Sequence, residues 1–180
     1  MLFAERATED EPRRFTRALR AFAVACAAPV LLSACGFQLQ GAGSLPAVLE
    51  RTYVSTDAPY SDFLRSLTLA LRSRGAEVVE SADDASSVLR IVEDFTGQRV
   101  LSVTARNVPR EFEVFYQVTF TLHVEGERMI EPELLTVTRS YTYDETQVLA
   151  KAREEEELRR ALADDLARRV VRRIGAAGAA

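Results

Sequence analysis

The chain predicts a two-layer α+β domain, with two helices packed on one face of a mixed, mainly antiparallel sheet. Three patterns predict it. Phe112, Val114, Tyr116, Val118, Phe120, Leu122 and Val124 alternate with Glu113, Gln117, Thr119, Thr121 and His123, the period of a strand with one buried face. A strand–helix–strand unit occupies Thr52 to Val79. A long helix with an apolar stripe closes the chain, from about Thr146 to Ile174.

Thr52-Tyr53-Val54-Ser55 predicts the first strand. Between Tyr60 and Arg74, the apolar positions Tyr60, Phe63, Leu64, Leu67, Ala70 and Leu71 fall on one helical face. Pro59 suits the first turn of that helix and Gly75 its C-terminal cap. Ala76 to Val79 returns as a short strand, so the unit predicts a parallel pair with a right-handed crossover.

The following segment has an antiparallel character. Val88–Phe95 and Arg99–Thr104 are extended, with Gly97 as a bend or bulge between them. Arg106-Asn107-Val108-Pro109 makes a turn into the long strand Phe112–Val124, where only Phe115 breaks the alternation. Glu125-Gly126-Glu127-Arg128 is a hairpin loop, and a last strand runs from about Leu134 to Tyr143. In the closing helix, Asp144 with Gln147 resembles a capping box, and Leu158, Leu162, Leu166, Val170 and Ile174 form the buried stripe. Glu155–Arg159 and Glu156–Arg160 are helix-supporting pairs. Residues 175–180 read as a disordered small-residue tail.

The N-terminal segment sets the compartment. Arg13, Arg14, Arg17 and Arg20 precede an apolar run, Ala21 to Leu32, too short to span a bilayer comfortably. Leu32-Ser33-Ala34-Cys35 then resembles a bacterial lipobox, in which the thiol is acylated and the chain is cut before it. Residues 1–34 are thus expected as a lipoprotein signal, with Cys35 the lipidated mature N-terminus. Residues 35–46 would be the acylated start and linker, and residues 47–174 the folded domain. Gly36 in the place of an aspartate suggests outer-membrane sorting. Glu5, Glu9, Asp10 and Glu11 are unusual in a signal and point to a start downstream of Met1.

Charge and chemistry narrow the function. Residues 1–34 hold five of the 23 basic and four of the 27 acidic side chains, so the remainder is at about −5. An acidic domain is a poor nucleic-acid binder, which needs clustered positive charge. Cys26 lies in the signal and Cys35 would carry lipid, leaving no thiol for a disulfide or metal. His123 is the only histidine, on the polar side of a strand, with no nucleophile-elbow motif to serve it. Glu154 to Glu157 reads as a solvated acidic face paired with arginines. No catalytic residue, metal site or cofactor is expected, beyond the covalent lipid at Cys35.

Two segments carry a family resemblance. Cys35-Gly36-Phe37-Gln38-Leu39-Gln40-Gly41 followed by Leu45-Pro46 is similar to the mature start of the LPS-assembly lipoprotein family, LptE. Arg139-Ser140-Tyr141-Thr142-Tyr143-Asp144 running into Gln147-Val148-Leu149-Ala150-Lys151 resembles that family's most recognisable segment. The resemblance extends over residues 35 to 174. It implies a non-enzymatic outer-membrane lipoprotein, held at the periplasmic face by its acyl chains. Such a protein plugs the β-barrel translocon LptD, supports its assembly and contacts lipopolysaccharide. The resemblance also implies two lipopolysaccharide contacts. One is an arginine in the turn before the central strand, which falls on Arg106, with Arg110 as its substitute. The other is a lysine after the last strand, Lys151, the only lysine in the chain. Two rivals remain: a lipoprotein scaffold of another envelope complex, and a periplasmic enzyme using Glu154–Glu157 with His123.

Overall fold

A computed structural model of the chain describes residues 44–179. The signal and lipobox readings, including Cys35, lie outside those residues. Strand β1 (Arg51–Ser55) leads to helix α1 (Asp62–Ser73) and strand β2 (Glu77–Val79). Three long strands follow, β3 (Ser87–Val103), β4 (Pro109–Val124) and β5 (Glu127–Thr142), and helix α2 (Val148–Gly178) ends the domain. The sheet order is β2-β1-β3-β4-β5. β1 is parallel to both β2 and β3, while β3, β4 and β5 are antiparallel, so the sheet is mixed and mainly antiparallel as expected.

The alternation in β4 decides which face is covered. Val114, Tyr116, Val118, Phe120, Leu122 and Val124 are buried in one core with Phe63, Leu67 and Leu71 of α1. Leu162, Leu166, Val170 and Ile174 of α2 complete it. Both helices therefore lie on that side of the sheet. The opposite side stays open and carries Gln117, Thr119 and His123 with the outward residues of β5, Thr136, Thr138 and Ser140.

Several boundaries differ from expectation, each for a physical reason. α1 begins at Asp62 because the Ser61 hydroxyl accepts the Leu64 amide at 3.0 Å, which makes Ser61 the N-cap. Pro59 therefore precedes the helix. Gly97 does not break β3, which runs unbroken from Ser87 to Val103; the register shifts fall at Val92 and Leu101 and, on the β4 side, at Arg110 instead. β5 starts at Glu127, directly after a tight turn in which Glu125 (φ +50°) and Gly126 (φ +85°) are both left-handed. Asp144 caps a short 3-10 turn (Glu145–Gln147) ahead of α2 rather than the helix itself.

Residues 175–178, expected as part of a disordered tail, are helical. α2 stays helical through Gly178 and packs on the turn before β1. A Cβ on Gly175 would lie 3.1 Å from the Leu45 side chain, and one on Gly178 would lie 3.1 Å from Val48 and 3.4 Å from Leu49. The small residues read as a tail are what let the helix approach buried Leu49 this closely. No helix of the described residues is long and apolar enough to cross a membrane.

Candidate functional site

The end of the sheet formed by the β3–β4 connection collects the basic residues singled out above. Thr104 opens the turn: the Asn107 amide donates to its carbonyl at 2.9 Å and the Val108 amide to its hydroxyl at 3.2 Å. Asn107 takes φ +61°, a left-handed conformation that asparagine tolerates better than most side chains. Arg106 sits exposed in this turn. Arg110 follows at the start of β4, its side chain exposed and its carbonyl accepting the Tyr143 amide at 2.8 Å.

Lys151 reaches the same end from the other layer. β5 ends at Thr142, opposite Glu111, and the chain then reverses through the Asp144 turn into α2. The Asp144 carboxylate accepts the Thr146 hydroxyl at 2.7 Å, the Thr146 amide at 2.9 Å and the Gln147 side chain at 3.2 Å. These bonds, led by the Thr146 hydroxyl and helped by the Lys151 charge, hold its pKa below the usual range. One fastening fixes how far α2 projects. The Tyr141 hydroxyl meets Glu155 at 3.4 Å, and Glu155 pairs with Arg159 at 2.5 Å. Burial, with Glu155 second, pushes the Tyr141 phenol up to about 12.

Tyr141 pairs across the sheet with Phe112. Lys151 lies four residues before Glu155, about 6 Å along a helix axis, and Arg110 lies two residues before Phe112, about 7 Å along a strand. Arg106, Arg110 and Lys151 therefore share one end of the domain, although 45 positions separate the first from the last. Among the described residues no carboxylate pairs with Arg106 or Arg110, whereas Lys151 pairs with Glu154 at 2.8 Å.

The other candidates have structural partners. Glu154 to Glu157 are matched in turn by Lys151, Arg159 and Arg160. His123 lies on the open face, with the Arg128 side chain 3.4 Å from its Nε2. The sequence reading missed the Tyr141–Glu155 fastening and a group of uncovered aliphatic side chains near the same end: Val100, Leu101, Val103 and Leu149. The signal for the latter was present in Val100-Leu101-Ser102-Val103, where apolar residues do not alternate as a half-buried strand requires.

The family model described as LptE, lipopolysaccharide-assembly, matches residues 49–174. The LPS-assembly lipoprotein LptE of Photorhabdus laumondii is 24% identical over 147 residues, 82% of this chain and 80% of that one. Its Yersinia pestis counterpart is 27% identical over 148 residues, 82% of this chain and 71% of that one. Among solved structures, lipoprotein B of Nitrosomonas europaea superposes with a TM-score of 0.69 at 28% identity, covering 80% of this chain and 93% of that one. A minor lipoprotein of Acinetobacter baumannii gives a TM-score of 0.61 at 30% identity, covering 73% and 94%. The match runs from the turn before β1 to the last buried residue of α2, and so takes in every strand and both helices: the chain belongs to the LptE lipopolysaccharide-assembly family.

Proposed function

We propose that this chain is a non-catalytic lipoprotein of the outer membrane, anchored through acylated Cys35, that plugs and supports assembly of an LptD-type β-barrel. It contacts lipopolysaccharide at the end that gathers Arg106, Arg110 and Lys151. The observation that carries this reading is that convergence, in a chain of the LptE family. Lipopolysaccharide is an anionic ligand and the chain is acidic, so recognition requires a local cluster of cations. The polar residues of the open sheet face, Gln117, Thr119, His123, Thr136, Thr138 and Ser140, which share it with Phe95, Phe115 and Leu134, suit the mostly polar lumen of an outer-membrane barrel. Residues 1–34 would be removed as the signal, and two or three acyl chains on Cys35 would make anchoring durable.

Two measurements test this reading. Palmitate labelling should be abolished in Cys35→Ala; persistent labelling would refute the anchor. The full-length protein, purified from detergent-solubilised outer membranes, should bring down a large β-barrel identified by mass spectrometry. Recovery of a different envelope complex, with no barrel, would instead support a scaffold role.

A further inference from the structure

β1 ends at Ser55, beside Arg90, so among the described residues no strand pairs with the outer edge of β3 beyond Arg90. From Glu93 to Val100, β3 pairs with β4 in an unbroken register, between the shifts at Val92 and Leu101. This stretch is regular strand on one side and an open row of backbone donors and acceptors on the other. Neither proline nor lysine guards it. The outer edge of β5, by contrast, is interrupted by Pro132 between Glu131 and Glu133. Phe95, in the middle of the open stretch of β3, is 50% exposed.

Run antiparallel about Thr96, the stretch is its own complement. A second copy, turned by a two-fold axis normal to the sheet, sets Thr96 against Thr96 and Phe95 against Gly97. The same register sets Glu93 against Arg99 and Asp94 against Gln98. Partners in this register share a side of the sheet, and it can bond whichever alternate backbone groups face outward.

Glu93, Phe95, Gly97 and Arg99 lie on the open face, opposite Thr119, Gln117, Phe115 and Glu113 of β4. Arg99, paired with Glu113 at 2.5 Å, then stands between two carboxylates, its own Glu113 and Glu93 of the second copy. Phe95, which packs against Phe115 at 5.8 Å, faces the bare Gly97 backbone of the second copy and brings the aromatic pairs of both copies together. On the helix side, the Gln98 side-chain oxygen accepts the Tyr141 hydroxyl at 3.3 Å, which leaves its amide hydrogens to donate to Asp94 of the second copy.

We propose that the lipoprotein self-associates through this edge, two copies sharing an antiparallel β3–β3 ladder from Glu93 to Arg99. The occupant is a second copy because the charges of the edge complement their own reverse; opposite charges directly across two strands attract and like charges repel. Under the plug reading above, a barrel enclosing one copy competes with this pairing, which covers the edge until then. The ladder itself stands without that reading.

The test follows sedimentation of the full-length lipoprotein over a concentration series, in a detergent matched to the density of the solvent. The parent should sediment as a dimer that dilution separates. Glu93→Arg alone sets arginine against arginine twice in the pair, and Arg99→Glu alone sets acid against acid twice. Each should weaken association at least about tenfold. An equimolar mixture of the two variants restores both opposite-charge contacts and should recover the parent's association. Thr96→Cys, on the axis, should give a disulfide-linked dimer on mild oxidation that the parent does not give. Where Arg99→Glu fails to fold beside Glu113, Glu93→Arg and the Thr96→Cys link decide. A parent that stays monomeric, with no Thr96→Cys dimer, overturns the proposal. Association that the charge changes leave untouched, or that the mixture of folded variants fails to recover, overturns it too, because the Glu93–Arg99 register is then wrong. A photo-crosslinking amino acid at Thr96 that links only to a different protein in cells would give the edge to that partner and overturn self-pairing.

Discussion

Gly97 lies directly opposite Phe115 in the β3–β4 pair, and a Cβ placed on it would stand 2.8 Å from the tip of the Phe115 ring. The ring is laid over the bare backbone of the glycine. Phe95 packs against it at 5.8 Å and the Arg99 guanidinium sits 5.9 Å from its centre, held also by Glu113 at 2.5 Å. Phe115, the one residue that breaks the polar side of β4, thus belongs to a small cluster on the open face.

This arrangement predicts a sign change. Gly97→Ala in the parent should be neutral to destabilising by about 1 kcal/mol, because displacing the ring forfeits its aromatic contacts. In a Phe115→Ala background the same change should stabilise by about 0.4–1 kcal/mol, since alanine costs less entropy to order than glycine. Urea unfolding of the four proteins checks the cycle; an unchanged sign in both backgrounds would mean the ring does not depend on the glycine.

Tyr116 and Asp94 form the second pair with a measurable consequence. The Tyr116 hydroxyl donates to Asp94 at 2.7 Å, and the other Asp94 oxygen is buried without a partner among the described residues. Tyr116→Phe should cost about 1–3 kcal/mol, because it leaves a second carboxylate oxygen unsatisfied. A thermal melt indistinguishable from the parent would show that water already serves this carboxylate.

The same groups set an alkaline limit. Burial, with Asp94 second, raises the Tyr116 pKa strongly, and Tyr141 is raised to about 12. Folded-state values above the ordinary one of about 10 mean that the native protein holds these protons after the unfolded chain has released them. Their contribution is therefore fully present below pH 10 and is lost as pH climbs toward 12. Stability should fall over that window, and Tyr141→Phe should flatten the slope. A profile with the same slope in the variant would contradict the assignment.

Deleting residues 175–180 tests the helical end of the chain. Removing the turn that covers Leu45, Val48 and Leu49 should destabilise by about 1–2 kcal/mol through lost apolar burial. An unaltered midpoint in urea would restore the reading of this segment as a dispensable tail.

What the sequence shows and what it hides follow one rule: periodic burial is local, while contacts across the sheet are not. The alternation of Phe112 to Val124 and the stripe Leu158 to Ile174 announce their elements because each residue reports its own environment. Gly97 was read as a bend because its reason, the ring of Phe115, comes from another strand. Pro132, between Glu131 and Glu133, hid the first seven of the sixteen residues of β5. It falls where the register jumps from Ile130 to Glu133, on an outer strand that tolerates a proline. Arg106 and Lys151 could be named from the family resemblance, but only the reversal after Tyr143 puts them at one end.

The basic end formed by Arg106, Arg110 and Lys151 is the part of the surface to challenge first. Arg106→Glu with Lys151→Gln, which sets no new acid beside Glu154 and Asp144, should leave the fold and the barrel complex intact and weaken lipopolysaccharide capture at least about tenfold, since a single charge-assisted contact is worth about 1.5–3 kcal/mol. The decisive measurement is lipopolysaccharide capture by the purified barrel–lipoprotein complex carrying the double substitution. A loss of that size with the complex still assembled is the predicted result. Capture equal to the parent's in a folded, assembled double variant would contradict the account and move the contact to another part of the surface.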